Sequence, residues 1–76
     1  LREAIENQLS ENAPPAAQAT LNRLTLVGYS REDSLDLMAQ VLAFQIGRML
    51  DANQPFDLDA YEQALRNLPA LPEALD

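Results

Sequence analysis

"GYSREDSLDLMAQVLAFQIGRML", residues 28–50, begins with a turn and three carboxylates and is then apolar for almost its whole length. Ser30 is a favourable helix cap, because its hydroxyl can accept a hydrogen bond from the amide of Asp33. Acidic residues in a first turn also complement the positive end of a helix dipole. Apolar residues follow at helical spacing, so this stretch predicts a long helix over residues 31–53.

The apolar residues of this helix fall on two faces. A broad face is expected in the core, and a second, nearly opposite face is formed by Leu37, Val41 and Phe44. A helix that is apolar on two sides must be covered on two sides. Either the other helices of the chain cover both, or Leu37, Val41 and Phe44 form an interface with another subunit. The broad face comprises Leu35, Met38, Ala39, Leu42, Ile46, Met49 and Leu50.

Two helices are expected before this one. Residues 1–12 form the first, with one narrow apolar stripe, and the prolines of "ENAPP" end it. The second covers residues 14–27, because a proline is tolerated in the first turn of a helix. Gly28 is placed to end it in the left-handed conformation. The apolar positions are Leu1, Ile5 and Leu9 in the first helix, and Ala17, Leu21 and Leu24 in the second.

A fourth helix is expected over residues 58–68, with Asp57 as its cap. Two later prolines prevent regular continuation, so residues 69–76 are predicted to be an extended tail, docked through Leu71 and Leu75. The expected fold is therefore all-α: a single domain, residues 1–76, of four helices with a long central third helix. The core positions of the fourth helix are Leu58, Tyr61, Leu65 and Leu68.

Composition excludes several classes of function. The chain has no cysteine and no histidine, which removes thiol and imidazole catalysis, disulfides and ordinary zinc sites. Its net charge of −7 opposes binding to nucleic acid and to anionic membranes. No apolar stretch approaches the roughly 18 residues of a membrane span. We therefore expect a cytoplasmic, non-enzymatic protein without a cofactor.

Carboxylates are the remaining candidates for a site. Glu32 and Asp36 are four residues apart, so they share a helix face and could hold a hard cation such as Mg²⁺ or Ca²⁺. The alternative is that both are solvated residues of an ordinary helix. Arg23 could pair with a Glu or Asp of a neighbouring helix, which would be no evidence of function.

The chain resembles a small bacterial family of uncharacterised helical proteins. The resemblance rests on "IENQL" at residues 5–9, "LNRL" at 21–24, Gly28, and "PFDLDAYEQALRNLP" at 55–69. It implies a histidine metal site, with one histidine before the first motif and a His-x-x-x-His pair after the glycine. This chain has Arg2, Glu32 and Asp36 at the nearest positions, so the site is either lost or replaced by Glu6, Glu32 and Asp36 as an oxygen-only site.

Two functions follow as expectations. The first is a helical interaction module that forms a homodimer, or binds another protein, through Leu37, Val41 and Phe44. The second is a divalent-metal-binding domain that uses Glu6, Glu32 and Asp36. A mass measurement with and without divalent cations would separate them. Residue 1 is leucine, which is compatible with a piece of a longer polypeptide.

Overall fold

A computed structural model describes residues 1–72 and contains four α-helices in this part of the chain. The all-α prediction, with a long third helix, is confirmed. The long helix α3 packs against each of the other three, and α2 also contacts α1 and α4. The helices are α1 (Arg2–Glu11), α2 (Pro15–Leu26), α3 (Arg31–Ala52) and α4 (Leu58–Asn67).

The helix ends follow the local sequence. The Ser30 hydroxyl accepts from the amide of Asp33 at 3.0 Å, and the Asp57 carboxylate accepts from the amide of Ala60 at 3.0 Å. Both predicted caps are therefore confirmed. Gly28 has φ +114°, a conformation that side chains rarely adopt, just after the last residues of α2. The turn into α3 depends on this glycine.

The core lies between α3 and the three shorter helices. Ile5, Val41, Tyr61 and Leu65 are among its fully buried residues. The expected inner face of α2 is confirmed, since all three of its predicted residues are buried. The remaining buried hydrophobic residues are Ala17, Leu21, Leu24, Leu35, Met38, Leu42, Ala64 and Leu68.

Three residues of the predicted apolar faces are instead exposed. Leu50 is 69% exposed, and Leu1 and Leu58 are also open to solvent. Each lies in the first or last turn of a helix or just before it, and each is left accessible there. Helical spacing identified the correct stripes but not the point at which the covering helices end.

Side chains join α4 to its neighbours. The Arg23 guanidinium in α2 donates to the backbone carbonyls of Leu65 (2.9 Å), Arg66 (3.1 Å) and Leu68 at the end of α4. Arg23 therefore contacts backbone carbonyls rather than the acidic side chain that it could have paired with. Carbonyls at a helix C-terminus lack partners and carry partial negative charge, so they attract the cation instead.

The chain after α4 has no regular structure over residues 70–72. Leu68 is buried, whereas Leu71 is 41% exposed. Residues 73–76, which include the predicted docking residue Leu75, lie outside the described residues.

Candidate interaction surface

The side of α3 that the other helices leave open is the candidate site. We call it the α3 outer face and define it by Leu37, Gln40, Ala43, Phe44 and Gly47. Gln40 and Ala43 are exposed, and the other three are half-buried. Four of the five are separated by three, four and three residues, the spacing with which one helix seam meets another. The face is therefore a regular strip along the middle of α3.

Part of the sequence prediction for this surface is wrong. Val41 has no exposed surface and belongs to the core of its own chain. It lies four residues after Leu37 and three before Phe44, so helical spacing predicts that the three share one face. The helices of the same chain cover the Val41 side, while Leu37 and Phe44 lie at its edge. Val41 is therefore not an interface residue in this fold.

The α3 outer face carries no charge. No charged residue occurs from Leu37 to Gly47, although the whole chain carries −7. Asp36 precedes this segment and Arg48 follows it. The Arg48 guanidinium lies 5.9 Å from the centre of the Phe44 ring, within the range of a cation–π contact, at one end of the face.

The sequence pattern missed Gln40, Ala43 and Gly47. None is a large hydrophobic residue, so none contributes to an apolar stripe. They can be recognised only by their position, because they lie at helical spacing beside the half-buried Leu37 and Phe44. A methyl group added at Gly47 would meet no atom within 4 Å, which leaves a shallow gap in the surface at that point.

The three predicted metal ligands do not form a site. Glu6, Glu32 and Asp36 are all exposed. Within residues 1–72, no three acidic residues are grouped so that they could hold a metal ion. Asp36 instead contacts Arg2, with 3.5 Å between its Oδ1 and the guanidinium Nη1. The predicted oxygen-only site is therefore not assembled in this structure.

The depressions on the described surface include one away from the α3 outer face and one that borders it. One, of about 450 Å³, separates α2 from α4 and is lined by Ala16, Ala19, Thr20, Arg23 and Arg66, among others. One of its two arginines, Arg23, donates hydrogen bonds to the backbone of α4. A second, of about 290 Å³, lies beside the α3 outer face and is lined by Tyr29, Asp33, Asp36, Leu37 and Gln40.

The buried tyrosine has a structural role. The Tyr61 hydroxyl donates to Oε1 of Gln8 at 2.8 Å and links α4 to α1. Its ring packs edge-on against Phe56, with ring centres 5.6 Å apart. Burial raises the pKa of the Tyr61 phenol, and the Gln8 hydrogen bond partly offsets that rise. The phenol therefore stays protonated at neutral pH and acts as a hydrogen-bond donor.

Comparisons with models of protein families, with curated proteins and with solved structures found no match. The resemblance to a bacterial family stays a prediction. Among residues 1–72, no helix combines the length and apolar composition that crossing a bilayer requires.

Proposed function

We propose that this chain is a non-enzymatic helical interaction module that associates with a second copy of itself through the α3 outer face. The observation that carries the proposal is the uncharged strip from Leu37 to Gly47, which leaves apolar and small side chains accessible. Interface centres are depleted in charge. Two copies that each carry −7 repel one another, so contact between them is favoured where acidic residues are absent.

The strip lies on the side of α3 that faces away from the other three helices. The core side of α3 is occupied by the other three helices, and within residues 1–72 no helix packs on its outer side. The strip is straight and continuous because it lies within one helix of 22 residues. A small domain also buries a modest fraction of its surface, so association would add to its stability.

Another apolar patch must be distinguished from this face. Leu26 is 86% exposed and Val27 is 64% exposed at the end of α2. They are two neighbouring residues at a helix terminus, whereas the α3 outer face extends from Leu37 to Gly47 along one helix. Leu26 therefore provides a control position, because it is exposed, apolar and away from the α3 outer face.

The test is sedimentation velocity at tens of micromolar with Ala43→Glu and Leu26→Glu. Each variant adds one carboxylate at an exposed position, so neither is expected to disturb the core. We expect the original chain and Leu26→Glu to sediment as dimers and Ala43→Glu to sediment as a monomer. Circular dichroism checks that each variant is folded. A monomeric original chain, or an Ala43→Glu variant that still dimerises, would contradict the proposal.

We also propose a cytoplasmic location, on the ground that a small domain without cysteine lacks the disulfides common in secreted domains of this size.

A further inference from the structure

We infer that the depression between α2 and α4 binds a small monocarboxylate with an aliphatic chain, and that Arg66 and the Thr20 hydroxyl hold its carboxylate. This site is independent of the proposed function, because it shares no residue with the α3 outer face. Its volume of about 450 Å³ lies within the range of about 300–1,000 Å³ typical of small-molecule sites. We call it the α2–α4 cleft; its lining includes Ala16, Ala19, Thr20 and Arg23 of α2, and Glu62 and Arg66 of α4.

The α2–α4 cleft has a cationic end and an apolar end. The Arg23 guanidinium donates to the backbone carbonyl of Arg66, so these two residues are neighbours near the end of α4. Pro15 and Ala16 line the cleft at the beginning of α2, about 12 Å from Arg23 along the helix axis. Ala19 continues the apolar wall between them. A ligand that follows the cleft therefore meets cations at one end and small apolar side chains at the other.

Thr20 supplies a polar group inside the cleft. It is only 2% exposed, yet its hydroxyl makes no hydrogen bond to another residue of the described chain. In residues 1–72 no side-chain nitrogen or oxygen is both closed off from solvent and without a partner, so this hydroxyl opens onto the cleft that the residue lines. Thr20 lies three residues before Arg23, on the same side of α2. A buried hydroxyl without a partner costs free energy, and a carboxylate in the cleft would accept its hydrogen bond.

The charges that line the cleft match a monoanion. Arg23 and Arg66 are two of the five cationic side chains of the chain, and Glu62 is the acidic residue of the lining. The lining therefore carries a net positive charge of one, in a chain whose net charge is −7. One carboxylate neutralises this charge, whereas a phosphate dianion would leave an excess of negative charge beside Glu62.

The two arginines have different roles at this site. Within residues 1–72 the exposed Arg66 side chain forms no ion pair, although Glu62 lies one turn earlier on the same helix. Its guanidinium is therefore available to a carboxylate, which it can bind through two parallel hydrogen bonds. Arg23 is held by three carbonyls of α4, so it supplies a fixed positive charge beside the ligand. Arg66 and the Thr20 hydroxyl make the direct contacts.

Octanoate is the probe that tests the site, at concentrations below those at which it forms micelles. Its binding is followed through the NMR amide shifts of the full chain. Octanamide is the matched neutral probe, acetate carries the charge without the aliphatic chain, and inorganic phosphate is the dianion. We expect saturable shifts with octanoate in residues 15–23 and 62–66, with affinity in the millimolar range, and weaker binding of the other three probes.

Variants separate the roles of the lining residues. Arg66→Gln is expected to weaken octanoate binding at least about threefold, because it removes the charged hydrogen bonds to the carboxylate. Arg31→Gln removes the same charge from an exposed arginine outside the cleft and is expected to leave the affinity unchanged. Thr20→Val is expected to weaken binding but to melt no lower than the original chain without ligand, because the hydroxyl that it removes has no partner in the fold. Glu62→Gln is expected to tighten binding.

Several results would overturn this inference. They are an absence of saturable shifts in the cleft, octanoate shifts confined to the α3 outer face, equal binding of octanamide and octanoate, and tighter binding of phosphate. Equal weakening by Arg66→Gln and Arg31→Gln would also overturn it, as would a Thr20→Val variant that melts lower and binds octanoate normally. A monomeric original chain that binds octanoate in the cleft would contradict the proposed function and support this inference.

Discussion

Replacement of Arg23 by alanine is expected to destabilise the fold more than its partial exposure suggests. The guanidinium donates to three carbonyls at the end of α4, and no other side chain in the described residues makes these contacts. Hydrogen bonds from a charged group contribute about 1.5–3 kcal/mol each when shielded. Because one half-exposed side chain makes all three, we expect a total loss of about 2 kcal/mol after allowance for solvent screening.

That loss is large for a domain of this size. The free energy of unfolding of 76 residues is about 4–11 kcal/mol. For domains of this length, each 1 kcal/mol lowers Tm by about 4–8 °C, so Arg23→Ala should melt about 8–16 °C lower. Thermal unfolding followed by circular dichroism measures this shift. Arg23→Lys should fall between the two, since lysine keeps the charge but lacks the planar fork.

Arg66 provides the matched control. It is the same residue type, exposed, in the last turn of α4, and its guanidinium makes none of these three contacts. Arg66→Ala should change stability by no more than about 1 kcal/mol, the contribution of a cation near a helix C-terminus. If Arg23→Ala and Arg66→Ala melt at the same temperature, the proposed connection between α2 and α4 does not contribute to stability.

Three other perturbations test the fold and the predicted metal site. Gly28→Ala should lower the free energy of unfolding by at least about 1 kcal/mol because Gly28 has a positive φ. Gly47→Ala should raise the free energy of unfolding by about 0.5–1 kcal/mol at protein concentrations where the chain is monomeric. Urea unfolding measures both changes, and equal effects of the two substitutions would contradict this difference between the glycines. The raised pKa of Tyr61 stabilises the fold below the unfolded value of about 10, and this contribution is lost as pH rises through the folded pKa. Tyr61→Phe should therefore lose less stability between pH 9 and 11 than the original chain, and identical pH profiles would refute the assignment. Millimolar Mg²⁺, Ca²⁺ or Mn²⁺ added to chelator-treated protein should leave Tm unchanged, and a rise that saturates with concentration would restore the carboxylates as a metal site.

The main features of the fold could be predicted because they depend on local chemistry. Ser30 and Asp57 each accept a hydrogen bond from the amide three residues later, so their capping role can be predicted from the local sequence alone. Gly28 ends α2 for an equally local reason. The spacing of apolar residues identified all four helices and most of the core.

Other features depend on how the helices meet. Val41 is fully buried and Leu50 is 69% exposed, although both are apolar residues of the same helix. Their burial depends on where α1, α2 and α4 cross α3, and sequence spacing does not contain that information. Arg23 likewise reaches carbonyls 42 to 45 residues away. The α3 outer face was only partly predicted, because its uncharged and small residues produce no apolar pattern.

The most direct test of the central claim is the molar mass of the original chain by light scattering coupled to size exclusion, across a range from a few to several hundred micromolar. The account predicts that the mass rises with concentration from that of the 8.4 kDa chain to twice that value. It also predicts that Ala43→Glu keeps the mass of one chain throughout. A mass of one chain at every concentration in the original protein would contradict the claim that the α3 outer face binds a second copy.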